Sequence, residues 1–268
     1  MNLAKVRFTQ GITFDFDSGS VRFINPGASA LVVKNRAAFR VRYGNTLDAR
    51  IAGEYGGNLS NSGERLVLVN DTNSIRDFSY SDGGAWPESP DGDGPSLLLR
   101  NPFANPDHGQ PTNWTASAIP GGMPSGQPTI LSFDAWRALI WGTNAILDPT
   151  ISGAGADPDG DGIPNFAEYV LGLHPKRIQT GRNPQAAIEA LGQFRYMTLQ
   201  YTASSAAMGA TIHFQVSSNL LDWLSGPPYT ELLWAAPNID GTTVYKSRDT
   251  APLETTPFHF MRLEVTSP

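Results

Sequence analysis

VRFTQGITFDF, residues 6–16, is the stretch whose reading decides the fold class. Apolar side chains fall at 6, 8, 12, 14 and 16, with polar residues or glycine at the odd positions between them. A period of two is the signature of half-buried strand, because successive side chains point to opposite faces of a sheet. Working outward, ALVVKN (30–35) is a short apolar run and reads as a strand buried on both faces. AAFRVRYG (37–44) fits a helical turn or a further strand, and the residues do not decide between them. Asn61, Ser62 and Gly63 supply turn chemistry before a strand over Arg65–Val69. In SIRDFSY (74–80), Arg76, Phe78 and Tyr80 share one face and Ile75, Asp77 and Ser79 the other. Short strands at regular spacing, punctuated by turns, predict a β-sandwich over residues 1–118.

Composition agrees with that class. The 268 residues include 27 glycines and 21 prolines, which favours many turns over long helices. A hydrophobic fraction of 40% is that of a folded chain. The absence of cysteine excludes disulfides, Cys-zinc sites and thiol catalysis. A net charge of −6 argues against nucleic acid, whose phosphates ask for clustered cations. Lys34, Arg36, Arg40, Arg42 and Arg50 form the one basic cluster and read as a solvated face. No run of apolar residues is long enough to span a membrane, so no membrane insertion is expected. The first residues, MNLAKVRFTQG, lack the apolar core of a secretion signal. Either the chain stays inside the cell or it is part of a longer exported protein.

Residues 101–130 are dense in Pro, Gly, Asn and Ser and read as a closing loop followed by a linker over 119–131. The periodicity then changes. SFDAWRALIWG (132–142) offers Ser132 as N-cap, places Trp136, Leu139 and Ile140 on one face, and ends at Gly142. A second helix is predicted over Asn165–Leu171, with Pro164 at its start, Gly172 at its C-cap and Pro175 just beyond. From residue 190 strands return in QFRYMTLQYT, TIHFQVSS, TTVYKSRD and FHFMRLEVT, predicting a second β-sandwich over 190–268. The expectation is a mainly all-β chain: two sandwiches joined by a helix–loop–helix connector over 132–176.

The loop of that connector is ADPDGDGIPNFAEYVLG (156–172). Its spacing fills the pattern D-x-[DN]-x-[DN]-G-x5-E of an EF-hand-type calcium loop. Asp157, Asp159 and Asp161 take positions 1, 3 and 5, and Gly162 the sharp turn at 6. The backbone carbonyl of Ile163 falls at 7, Asn165 at 9, and Glu168 at 12. Calcium wants six to eight hard oxygens, and a tight loop delivers them only if alternate residues point inward. Without a cation each close carboxylate pair costs about 1 kcal/mol in water. An all-oxygen set with no histidine points to a structural ion, not a catalytic one. Position 8, an apolar β-branched residue in signalling loops, is Pro164, and no second loop exists for it to pair with. DGDG at 91–94 is a decoy, because prolines or an arginine occupy the required later positions. A lone loop with proline at 8 predicts weak binding, about 10⁻⁴ to 10⁻³ M, the range of extracellular modules.

Three segments resemble known families. DPDGDGIPNFAEYVLGLHP is similar to the thrombospondin type 3-like calcium loops of bacterial surface proteins. NPGASALVVKNRAAFRVRYG, GNLSNSGERLVLVND, IRDFSYSDGGAWPESPDGDGPSLLL and PTNWTAS resemble the lamin-tail domain, an immunoglobulin-like sandwich. That resemblance implies packing roles for Trp86 and Trp114 and a turn at Ser62–Gly63. It also implies one or two strands before VRFTQGITFDF, where only Met1–Lys5 stand, so an unpaired edge is expected. VSSNLLDW and PFHFMRLEVTSP look like a C-terminal β-domain that follows such calcium loops.

No nucleophile elbow, phosphate loop or zinc-protease motif is present, and His108, His174, His213 and His259 are scattered without metal spacing. Carboxylate pairs for glycoside hydrolysis stay open, since their partners meet only in the fold. Trp114, Trp223 and Trp234 suit core packing better than a sugar platform. The expectation is a non-enzymatic, calcium-stabilised module of a secreted or cell-surface bacterial protein, meeting a protein or polysaccharide partner. The alternatives are the accessory end of a hydrolase or spore-coat-type kinase, and a carbohydrate-binding module.

Overall fold

The computed structural model describes residues 1–124, 130–145, 147–179, 181, 183–255 and 258–267. The chain is mainly β and divides into two compact units, Met1–Ala116 with Pro124–Gln127, and Ser117–Met123 with Pro128–Pro268.

The first unit holds β1 (Val6–Gln10), β2 (Ile12–Asp15), β3 (Leu31–Val33), α1 (Arg36–Tyr43), β4 (Ile51–Glu54), β5 (Gly56–Gly57), β6 (Gly63–Asn70), β7 (Asn73–Ser81), β8 (Leu97–Leu99) and β9 (Trp114–Ala116). Its main sheet runs β5-β2-β1-β6-β7, all antiparallel. The period of two does what it should: Val6, Ile12 and Phe16 are buried, and Phe8, paired with Phe14, packs with it on the same core. Leu3, Ala52, Leu68 and Ile75 complete that core. Gly63 begins β6 with φ 97°, and a Cβ there would lie 2.3 Å from the Tyr80 carbonyl, so only glycine fits the strand pairing.

One expectation needs correction in this unit. ALVVKN is not buried on both faces; Val33 is buried, while Leu31 and Val32 are half-buried in a short strand. That strand runs parallel to β4, the connection between them passing through α1. The undecided stretch 37–44 is helix, because the Asn35 side chain accepts a 2.8 Å bond from the Ala38 amide and caps it. β1, the first strand, is flanked by β2 and β6, and the edges of the sheet are β5 and β7. The chain start is tied down as well, with Leu3 N donating to Arg22 O at 2.9 Å.

The second unit holds α2 (Phe133–Ala145), α3 (Pro149–Ser152), α4 (Asn165–Leu171), β10 (Gln185–Leu191), β11 (Phe194–Ser204), β12 (Thr211–Ser217), β13 (Thr230–Pro237), β14 (Thr242–Asp249) and β15 (Phe260–Thr266). One sheet runs β10-β11-β14-β13, and β12 pairs with β15 in a second. Leu199 and Tyr201 of the first meet Phe214 and Val216 of the second in one core, and Leu171 and Leu173 from the end of α4 enter it too.

The helical stretch expected as a connector is part of this unit. Trp136 and Ile140 of α2 pack with Tyr169 and Val170 of α4, and the same cluster reaches Ile212 and Val265 on β12 and β15. The Tyr169 hydroxyl donates to Leu131 O and accepts from Met208 N. Gly142 stops the helix as expected: its non-helical φ of 75° and ψ of 172° break α2 there, separating the turns before it from the short helical piece after it. The expected linker 119–131 includes residues 125–129, which lie outside the described residues. Its first residues belong to the second unit: Ile119 is 2% exposed, and the preceding Ala118 N donates to Asp240 O.

Candidate metal centre

The acidic loop closes between α3 and α4. α3 is capped by Asp148, which accepts from Thr150 N at 2.9 Å, and Ser152 within it is fully buried. The loop is shaped by its own aspartates. Asp157 accepts from the amides of Gly160 and Gly162, both at 3.0 Å, Asp159 from Asp161 at 3.2 Å, and Asp161 from Ile163 at 2.8 Å. Gly162 carries the turn with φ 88°, as position 6 of the pattern requires. Two backbone bonds shut the loop's neck, Asn165 N to Ala156 O at 2.8 Å and Phe166 N to Ala154 O at 3.1 Å.

Asp157, Asp159 and Asp161 each present a carboxylate oxygen, and these oxygens lie within 4.8 Å of one another. Among the described residues this is the one such group of three acids or histidines. Glu168, from the first turn of α4, is 1% exposed. Burial, and then the charges of Asp159, Asp161 and Asp157, push its carboxyl up to about 9. Burial raises Asp159 as well, with the neighbouring aspartates adding to it. Asn165 is fully buried, and its Nδ2 donates to Ile151 O and Gly153 O, both at 2.9 Å. Those two carbonyls fix the amide so that Oδ1 is the end left to accept.

Three oxygens then stand out: Asp159 Oδ2, Asn165 Oδ1 and Glu168 Oε2 are buried with no hydrogen-bond partner. A buried acceptor without a partner costs about 1–3 kcal/mol, and more when charged. These residues fit a hard cation: the set is all oxygen, carries four carboxylates, and leaves its buried oxygens without protein donors. The carbonyl of Ile163 is assigned to the set by spacing alone. Its side chain packs onto the core formed by Leu171, Leu173, Leu199 and Phe214, which seats the loop on the sheets.

The spacing did not disclose the Asn165 clamp, whose carbonyls come from residues 14 and 12 positions earlier. Nor did it disclose α3. An Asp-Pro at 148–149 was the available signal.

The other residues singled out from sequence do not converge on this loop. His108 packs at a tilt against Phe78 and edge-on to Trp114, and His259 Nδ1 lies 2.9 Å from Asp249 Oδ2. Trp86 and Trp114 pack together at 5.9 Å. Trp234 departs from the core role expected of it, at 43% exposed, and Trp223 sits under the Arg262 guanidinium at 4.3 Å. In the basic cluster, Arg40 pairs with Asp48 at 2.7 Å and Arg36 donates to Ile51 O. No helix of the described residues is long and apolar enough to cross a membrane.

Compared with protein-family models, curated proteins and solved structures, the chain gives no match.

Proposed function

We propose that the chain is a calcium-stabilised, non-enzymatic module of an exported or cell-surface bacterial protein, its first unit a lamin-tail-like domain serving adhesion or anchoring. In this reading Asp157, Asp159, Asp161, the Ile163 carbonyl, Asn165 and Glu168 hold a structural calcium ion. The observation that carries it is Glu168, a carboxyl buried to 1% exposure beside three aspartates with one oxygen that no protein donor meets. A divalent cation supplies the missing partner and turns mutual repulsion into attraction. The role assigned to the ion is to pin the loop and α4 to the second unit, since α4 already packs there through Tyr169, Val170 and Leu171. An extracellular home follows from the affinity expected of a lone loop, which fills at millimolar calcium and stays empty at cytosolic levels.

Calorimetry with calcium, paired with melting scans in calcium and in chelator, tests this. Calcium binds at submillimolar to millimolar Kd and raises the melting temperature. Glu168→Gln abolishes that rise while leaving the chelated protein at least as stable as wild type, because the amide is spared the cost of holding a buried carboxyl protonated at a pH where the unfolded chain ionises it. A Glu168→Gln protein that still gains stability from calcium, or a wild type that binds none at several millimolar, would sink the reading.

A further inference from the structure

The first unit contains a cavity of about 400 Å³ between β7, β8 and the loop that joins them, bounded also by the 59–61 turn. Its walls are apolar and aromatic: Phe78, Tyr80 and Trp114 line it together with three prolines. Two carboxylates, Asp82 and Asp91, also line it, and among the described residues no lysine or arginine does.

These walls are held in place from outside. The Tyr80 hydroxyl donates to Ser60 O at 2.7 Å and to Glu64 Oε1 at 3.2 Å, while Glu64 also accepts from Ser60 N. Trp114 donates from its indole nitrogen to His108 O at 2.8 Å, and its ring is stacked against Phe78 at 5.8 Å. Trp86, at 9% exposed, backs Trp114. The aromatic side chains therefore need no rearrangement to receive a ligand, which lowers the cost of binding.

We propose that this cavity takes an arginine side chain, with an apolar neighbour, from a partner polypeptide. The two carboxylates with no compensating base exclude an anionic ligand. A hydroxyl-rich sugar would leave many of its polar groups facing leucine, proline and ring edges. Arginine meets both features of the lining: its planar guanidinium stacks on aromatic rings and bonds carboxylates through two parallel donors, and its stem buries against apolar walls. A volume of about 400 Å³ exceeds one side chain, so room remains for the apolar neighbour. The cavity belongs to the first unit alone, and arginine binding there is independent of calcium in the acidic loop.

The test uses the full chain and two peptides, acetyl-Leu-Arg-Leu-amide and its citrulline counterpart, which keeps size and planarity but loses the charge and exchanges one donor group for a carbonyl acceptor. Calorimetry gives affinities, and backbone amide shifts give the location. The arginine peptide binds about tenfold more tightly, with shifts confined to residues 59–61, 66, 78–82, 87–97 and 114, and the preference shrinks on adding salt. In the double variant Asp82→Asn, Asp91→Asn, both peptides bind alike; neither carboxylate is buried, so the variant folds. Equal affinities in the wild type, absence of binding at millimolar peptide, a preference that survives the double variant, or shifts elsewhere would each overturn the proposal. So would tighter binding of a neutral oligosaccharide at these residues.

Discussion

Glu168 concentrates the electrostatic tension of the molecule in one side chain. Its carboxyl titrates near about 9 in the folded chain against 4.5 when solvated. Below pH 4.5 both states are protonated and nothing is lost. Between 4.5 and about 9 the unfolded chain gives up its proton while the folded one keeps it, so folded stability falls as pH rises, by about 1.4 kcal/mol per unit. Asp159, also raised, adds to the same trend. In chelator the melting temperature therefore drops from pH 5 to pH 9, and the increment given by saturating calcium widens over the same interval. Thermal scans at four pH values in chelator and in calcium read this directly, and an increment that stays constant counts against Glu168 as a ligand. The residue types and spacing of this loop were legible in the sequence. The burial of Glu168, and the carbonyls of Ile151 and Gly153 that orient Asn165, were not, because they arise when the loop folds back on α3.

At the scale of elements, α4 was readable from its ends: Pro164 before it and Gly172 after it both stand where expected. Gly172 has φ 71°, and a Cβ on it would approach Thr242 Cγ2 to 2.6 Å. Gly172→Ala combines left-handed strain with a clash against β14, and lowers stability by about 1–3 kcal/mol in urea melts. Gly83→Ala, at a position with open space around it and no positive φ, stays within about 0.5 kcal/mol of wild type and serves as the control. β10 and β13 went unread. QAAIEAL and TELLWAAP are rich in Ala, Leu, Glu and Gln, residues with no strong preference for strand. Both are sheet edges. Most of their side chains are exposed, so neither carries the alternation that revealed β1 and β2. Their strand state is imposed by pairing with β11 and β14.

Across the whole molecule, the two units keep separate cores, one around Val6 and Phe16 and the others around Leu199 and Trp136. The helical stretch falls within the second compact unit, although between two strand-rich regions it looks like a spacer in sequence. Its amphipathic faces showed that it packs, but not on what. Calcium bound in the acidic loop is expected to change one unit only. Hydrogen exchange by mass spectrometry then shows calcium-dependent protection across residues 148–175 and in β11 and β12, with β1, β2 and β6 unaffected. Protection appearing equally in both units would contradict the assignment of the loop to the second.

The Tyr169 hydroxyl adds a consequence in time. It touches the chain at Leu131 and at Met208, the latter in the turn between β11 and β12, so its two partners lie 38 and 39 residues away. Both must be in place before α4 can lock. The acidic loop, ending in that helix, is then expected to assemble late, and a folding φ-value near zero for Tyr169→Phe is the outcome that checks it. Contacts made after the folding barrier slow escape from the native state without hastening arrival at it. A cation held there would act as a brake on unfolding, lengthening the life of the folded module while leaving the speed of its formation almost untouched.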